Sequence, residues 1–256
     1  MLDDITPVIL TFDEAPNIGR CLERLSWAKD IVVVDSGSGD GTQEICRRFS
    51  QVRLFTRAFD THAQQWNFAI AETGIASGWM LCLDADYMLT AALIEDLRAL
   101  RPSNGVDGYW MSFRYAVMGK VLRSGIYPPV LSLIRRGASQ YVQDGHTQRA
   151  RVDGQTAALR AHAIHDDQKP FDRWLRSQAA YARLEADKLV NGRAGGSKGW
   201  LRTRTPFSIF AVGFYCLIWR GGLLEGPAGW FYVLQRMIAE GMIAAAIVDR
   251  RLRKPP

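Results

Sequence analysis

The sequence predicts an α/β protein, a mostly parallel sheet flanked by helices, followed by a helical C-terminal appendage. Three observations carry this expectation. Over residues 5–100, short apolar runs alternate four times with stretches of helical periodicity, the pattern of consecutive strand–helix units. Each apolar run breaks at an acidic or polar residue, so a parallel arrangement gathers those residues at the carboxyl edge of the sheet. Beyond residue 168 the strand pattern stops and the charge reverses: residues 1–168 hold 17 basic and 20 acidic side chains, residues 169–256 hold 15 and 6. The expected division is a sheet domain over 1–168 and a helical region over 169–256. A chain of 256 residues that is 48% hydrophobic can bury a sizeable core, which excludes a largely disordered protein.

The first run, residues 5–12, ends at Asp13-Glu14-Ala15-Pro16, where Pro16 suits a first helical turn and Ile18, Leu22 and Leu25 follow at helical spacing. The second, residues 31–34, ends in Asp35-Ser36-Gly37-Ser38-Gly39-Asp40-Gly41-Thr42, and Ile45, Cys46 and Phe49 then restart the helical period. The glycines of that loop permit positive φ and close backbone approach to a ligand. The third run, residues 52–56, leads to Arg57 and a helix over 63–75. The fourth, residues 79–83, delivers Asp84 and Asp86. A helix over 91–100 and strands over 108–115 and 130–135 come next, after which the alternation stops. Residues 139–168 contain a strand ending near Asp144-Gly145-His146, a strand pair over 149–152 and 156–159, and the segment His162-Ala163-Ile164-His165-Asp166-Asp167.

Asp84-Ala85-Asp86 is the most informative stretch. Two carboxylates one residue apart at a strand end can share a divalent cation, and hard oxygen ligands suit Mg²⁺ or Mn²⁺, which usually also take diphosphate oxygens. Read alone, the pair also suits a solvated turn, just as Asp13 and Asp35 each suit a helix cap or turn. Gathered at one edge with Arg57, the carboxylates point to a nucleotide-sugar site, with Asp35 placed to accept hydrogen bonds from a base or ribose. Residues 139–168, where the regular alternation stops, are the expected place of acceptor-side chemistry.

Cys21, Cys46, Cys82 and Cys216 lie far apart without metal-binding spacing, which suggests free buried thiols in a reducing compartment. The N-terminus shows no signal-peptide pattern. In the tail, Phe171, Trp174, Leu175, Ala179, Ala182, Ala186 and Leu189 share one helical face. Residues 191–199 then form a polar, glycine-rich link to two apolar stretches, 207–219 and 230–248, expected to be too short or too interrupted by polar residues to span a bilayer. Their arginines surround apolar helices and do not line a polar groove with stacking aromatics, which argues against nucleic acid and for an anionic membrane surface on its cytoplasmic side. A helix pair docked on the core is the alternative.

The motifs TFDEAPNI, VVVDSGSGDGT and LDAD, in this order, resemble the family 2 glycosyltransferases with a GT-A fold. QQWNFAIAE and GFYCLIWRGGLLEGPAGWFYVL extend the resemblance to the bacterial lipopolysaccharide-core and cell-envelope subgroup, over most of the chain. The resemblance implies an inverting transfer from a UDP-type nucleotide sugar to a lipid-linked or cell-envelope glycan acceptor. By that likeness Thr11, Asp13 and Glu14 border the nucleotide, Asp35 and Ser36 meet its base or ribose, Asp84 faces the ribose and the metal, and Asp86 is the main ligand of a Mg²⁺ or Mn²⁺ ion. His165 matches a downstream histidine that reaches the metal or diphosphate, and it also suits a core position. An inverting transfer to a hydroxyl needs a group to take its proton, and Asp144 and His146, separated by Gly145, lie where the family's acceptor-side base occurs, with a non-catalytic turn as the alternative. The subgroup often has Glu where Tyr87 stands, and His-Glu where His146-Thr147 stand. Transfer to polyprenyl phosphate, which needs no base, is a competing reading. A nucleotidyltransferase is disfavoured because no glycine-rich basic loop follows the first strand, and a non-catalytic membrane adaptor is the reading from a different class.

Overall fold

The computed structural model describes residues 1–144, 147–190 and 207–253, with the backbone alone at 144 and 147. The chain forms two compact units, Met1–Ala116 with Tyr127–Gln168, and Val117–Ile126 with the residues from Lys169 onward.

The first unit is a mixed α/β sheet with helices. Its strands are β1 (Ile5–Thr11), β2 (Ile31–Asp35), β3 (Val52–Thr56), β4 (Trp79–Asp84), β5 (Tyr87–Leu89) and β6 (Val106–Val117). After β7, a two-residue strand at Lys120–Val121 in the other unit, come β8 (Val130–Arg135), β9 (Ser139–Asp144), β10 (Thr147–Val152) and β11 (Gln155–His165). The main sheet runs β3-β2-β1-β4-β8-β6-β11-β5. Its first four strands are parallel, and the pairings of β8 with β4 and β6 and of β5 with β11 are antiparallel. Helices α1 (Ala15–Glu23), α2 (Thr42–Cys46), α3 (His62–Ala71) and α4 (Ala91–Ala99) connect the strands.

Both faces of β1, β2 and β4 are buried, which is why these strands read as continuous apolar runs, while β3 at the edge is half-buried. Ile5, Ile9, Ile31, Val33, Leu81 and Leu83 pack on one face with Ile18, Leu22 and Leu93. Val8, Val32, Val34, Met80 and Cys82 pack on the other with Trp66 and Ala69 of α3. All four cysteines are free and buried. Register pairs Thr11 with Asp35, Asp35 with Thr56 and Leu10 with Asp84, so the ends of four strands arrive at one edge.

Three expectations need correction. The strand pair over 149–152 and 156–159 does not form: β10 pairs antiparallel with β9 in a separate ribbon, and β11 enters the main sheet parallel to β6. The handover occurs at Asp153-Gly154, where a Cβ on Gly154 would stand 2.6 Å from the Gly105 oxygen, and where Gln155 N donates to that oxygen at 2.7 Å. β11 also runs on to His165, so the histidine segment belongs to a sheet strand. The helix expected to reach residue 75 stops at Ala71, three residues before the chain turns at Gly74 with φ 68°.

The second unit contains α5 (Phe171–Val190), α6 (Phe207–Phe214), a π-helical stretch (Tyr215–Trp219), a 3-10 turn (Gly222–Glu225) and α7 (Gly226–Arg253). Here the third correction falls: the stretch Gly222–Arg253 is long and apolar enough to cross a membrane by length and composition, a test that core helices of soluble proteins also pass. The 13-residue stretch Phe207–Trp219 is shorter than a spanning helix.

Candidate active site

The two loops that follow β1 and β2 interlock. Asp13 takes φ 52°, a left-handed conformation that Asp tolerates better than most residues. Its N–H donates to Ser38 Oγ at 2.7 Å, and its Oδ1 accepts from Gly39 N at 2.8 Å. Glu14 N donates to Thr42 Oγ1 at 2.7 Å and Ala15 N to Asp40 Oδ2 at 3.1 Å. The orphan N–H groups at the start of α1 are therefore satisfied by side chains of the second loop.

Asp35 is the organiser of this platform. It is fully buried, and its Oδ1 accepts from Gly37 N at 3.0 Å, Ser38 N at 2.9 Å and Gln43 Nε2 at 2.7 Å. Its Oδ2 accepts from Thr11 Oγ1 at 3.0 Å and from Ser38 Oγ. Burial pushes this carboxyl toward the neutral form, but the hydrogen bonds from Ser38, Gln43 and Thr11 outweigh it and hold the group below the ordinary carboxylate range. Its oxygens thus serve the loop, and Gly37 at φ 93° gives the turn the conformation that lets two successive N–H groups reach one oxygen.

The third loop is tied to the second. Ser36 Oγ accepts from Gln65 Nε2 at 3.0 Å, and Gln65 also donates to the Arg57 carbonyl. The Arg57 guanidinium pairs with Asp60 at 2.9 Å, donates to Gln65 Oε1 at 2.5 Å and lies 5.5 Å from the Phe68 ring centroid.

At the end of β4, Asp84 and Asp86 flank buried Ala85. His165 Nε2, at the end of β11, stands 3.3 Å from Asp86 Oδ2, and Asp166 N donates to the Asp86 carbonyl at 3.0 Å. Burial lowers the affinity of His165 for a proton, but the Asp86 carboxylate, helped by Asp167 and Asp84, more than compensates and raises its pKa. The imidazole is packed among tyrosines: Tyr127 stacks at 4.5 Å between centroids, Tyr115 lies at 4.9 Å and Tyr87 at 5.6 Å. Tyr87 and Tyr127 share a 2.7 Å hydrogen bond between their hydroxyls. Burial and the nearby Asp84 and Asp86 charges raise both phenols, so they remain neutral.

These residues can be tested as cation ligands. Ligands at adjacent corners of an octahedral Mg²⁺ site, each about 2.1 Å from the ion, are about 3 Å apart. The spacing of Asp86 Oδ2 and His165 Nε2 is compatible with one shared ion, and the oxygen-rich donor set suits a hard cation. Among the described residues no group of three His, Cys, Asp or Glu side chains converges well enough to hold a metal unaided. The donor types fit, then, and further ligands must come from a substrate or water.

Sequence reasoning missed Asn17, a fully buried residue of α1. Its Nδ2 donates to Glu14 Oε2 at 2.9 Å and Asp167 Oδ1 at 3.0 Å, and its Oδ1 accepts from Gln168 N at 2.9 Å. It fastens the first loop to the segment after β11, where Arg20 pairs with buried Asp166. Asp144 ends β9, with its backbone paired to Thr147, and His146 lies outside the described residues. The strand leading to Asp144 is pinned to α3: Asn67 donates to and accepts from the Tyr141 backbone at 2.9 and 2.8 Å, and Trp66 stacks on the Tyr141 ring at 5.1 Å.

The sequence profile of Glycosyl transferase family 2 matches residues 6–163. The lipopolysaccharide core biosynthesis glycosyltransferase LpsC of Rhizobium meliloti (strain 1021) is 26% identical over 98% of this chain and 94% of its own. S. aureus TarS 1-349, solved in complex with UDP, superposes with a TM-score of 0.52 at 13% identity over 98% of this chain and 92% of that one. Glucosyl-3-phosphoglycerate synthase from Mycobacterium tuberculosis, in complex with phosphoglyceric acid, gives 0.50 at 16% identity over 76% and 82%. These two likenesses concern the fold.

Proposed function

The chain belongs to glycosyl transferase family 2, and on that premise we propose that it transfers a sugar, with inversion, from a UDP-type nucleotide sugar to a lipid-linked or lipopolysaccharide-core glycan. The observation that carries the reading is the Asp86–His165 pair at the end of β4, beside loops already locked together around Asp35. The full-length similarity to a lipopolysaccharide core glycosyltransferase supports the acceptor class.

In this reading Thr11, Asp13, Glu14 and Ser36 border the nucleotide, and Asp35 shapes the nucleoside loop from within. Arg57 closes the third side through Gln65. Asp86 and His165, with Asp84 beside them, would hold a Mg²⁺ or Mn²⁺ ion only together with oxygens of the diphosphate or of water. When bound, such an ion supplies positive charge to the diphosphate as the sugar departs. The chain's own contribution is to fix these donors before substrate arrives, since Asp86 is tied through its carbonyl and His165 through its tyrosine shell. Asp144, at the end of a strand anchored by Asn67 and Trp66, accepts the proton of the attacking hydroxyl, with His146 as the competing base.

The test is a panel of nucleotide sugars offered to the purified full chain, with donor hydrolysis followed in the presence of Mg²⁺ or Mn²⁺ and in chelator. Cleavage of one UDP-sugar that stops in chelator and in Asp86→Ala is expected. Cleavage indifferent to both changes overturns the assigned site.

A further inference from the structure

In the second unit large apolar side chains face outward along one stretch of the chain. Along Phe207–Trp219 the outward positions are Phe207, Phe210, Phe214, Ile218 and Trp219, each between 52% and 77% exposed. The inward positions are Ser208, Gly213 and Cys216, all buried. Gly213 approaches α7 so closely that a Cβ there would stand 2.8 Å from Met237 Sδ, so this contact depends on the missing side chain. The outward stripe continues through Leu223, Leu224, which is 89% exposed, Trp230 and Leu234, while α7 turns Gln235 and Glu240 inward. Tyr232, Val233 and Ile247 are buried beside Gln235 and Glu240, so the outward apolar stripe is additional to an apolar interior, and an exposed apolar patch of this extent marks a contact surface.

We infer that this face docks on an anionic lipid bilayer, entering the interfacial layer without crossing it. The charge around the stripe suits that partner. Arg220 donates to the Arg123 and Gly125 carbonyls at 3.1 and 3.2 Å, and Lys120 donates to the Glu225 carbonyl at 2.7 Å, so two cationic side chains stand beside the stripe along with the Glu225 carboxylate, in a region, residues 169–256, that holds 15 basic and 6 acidic side chains. Trp219 and Trp230 are residues that favour the boundary between headgroups and acyl chains. The far half of α7 argues against crossing. Its Ile247 packs on Ala186 and Leu189 of α5, and Arg250 pairs with Asp187 of α5 at 2.5 Å. A spanning placement would carry that pair and the other charges of α5 into hydrocarbon, whereas shallow docking leaves them in water.

The inference deepens the lipid-linked acceptor reading, but its test measures lipid binding and not turnover, so the two can fail separately. The full chain is floated with phosphatidylcholine vesicles, with and without phosphatidylglycerol. It is expected to rise with the anionic vesicles, and Trp219→Glu with Leu224→Glu together is expected to lower the bound fraction about tenfold or more, because both side chains lose their place in the interface. In the unmodified protein, brominated phospholipid should quench tryptophan emission, and Trp219→Phe should remove part of that quenching, a readout that does not need the charged variant to fold. UDP binding by the same preparations checks the donor site independently. A full chain that stays in the soluble fraction, emission unaffected by brominated lipid, or a dimer that the same substitutions dissolve overturns the inference, the last by assigning the face to a second copy.

Discussion

His165 Nε2 and Asp86 Oδ2 face each other across 3.3 Å, joining the end of β11 to the end of β4. A proton on His165 and a cation compete for the same position beside this carboxylate, and the raised pKa of His165 favours the proton. We therefore expect UDP affinity in Mg²⁺ or Mn²⁺ to rise with pH across the range in which His165 loses its proton. Asp86→Ala should abolish the metal requirement of binding. Calorimetric titration at several pH values reads both, and equal UDP affinity with and without metal in the unmodified protein contradicts the proposed site.

Asp35 gives the stability of the interlocked loops around it its own pH dependence. Its folded-state pKa lies below the unfolded value, so the stabilisation is present above the unfolded pKa of about 3.9 and is lost as pH falls through the depressed folded value. Asp35→Asn should cost about 2–3 kcal/mol at pH 7, the scale of hydrogen bonds to a buried charge. The difference between the two proteins should shrink below pH 4. Denaturant unfolding at pH 7 and near pH 3 measures it, and a difference that grows on acidification refutes the assignment.

The parallel half of the sheet was legible because β1, β2 and β4 are buried on both faces and all four strands are bounded by polar loop residues. Residues 31–34 and 79–83 could hardly be anything else. The end of β11 was not legible, since Arg160 and His162 interrupt the apolar run and its register to β6 shifts between Ala158 and His162. That shift carries His165 to Asp86, so this contact depends on a strand that continues past the interrupted apolar run. Likewise the Tyr115, Tyr127 and Asn17 contacts are long-range, and no local spacing announces them. Asp84 and Asp86 could be placed at a sheet edge from their own neighbours alone, whereas the tyrosine shell required the fold.

The QQWN segment of α3 is predicted to act by positioning. Asn67→Ala removes both bonds between α3 and the Tyr141 backbone, while the pairing of Tyr141 with Ala150 in the β9–β10 ribbon and its stack on Trp66 remain. We expect a loss of about 1–3 kcal/mol in stability, because a backbone N–H and carbonyl in a part-buried site lose their partners. If β9 carries the catalytic base, kcat should also fall while the Kd for UDP stays near its original value. Unchanged kcat at unchanged stability separates α3 from the acceptor side.

The base itself can be assigned by charge. A hydroxyl acceptor must lose a proton as it attacks, so replacing the group that takes it lowers the rate of the chemical step without altering donor binding. Asp144→Asn keeps the shape of the side chain and removes its basicity, and it should reduce turnover by about 10²-fold or more. His146→Ala should have a smaller effect. The reverse ranking transfers the role to His146. A third outcome discriminates acceptor chemistry: polyprenyl phosphate attacks through an oxygen that is already ionised, and an enzyme using it tolerates Asp144→Asn. Single-turnover measurements with saturating donor isolate the chemical step, and a full rate in both variants with a phosphate acceptor, alongside none with a hydroxyl acceptor, replaces the glycan reading with the polyprenyl one.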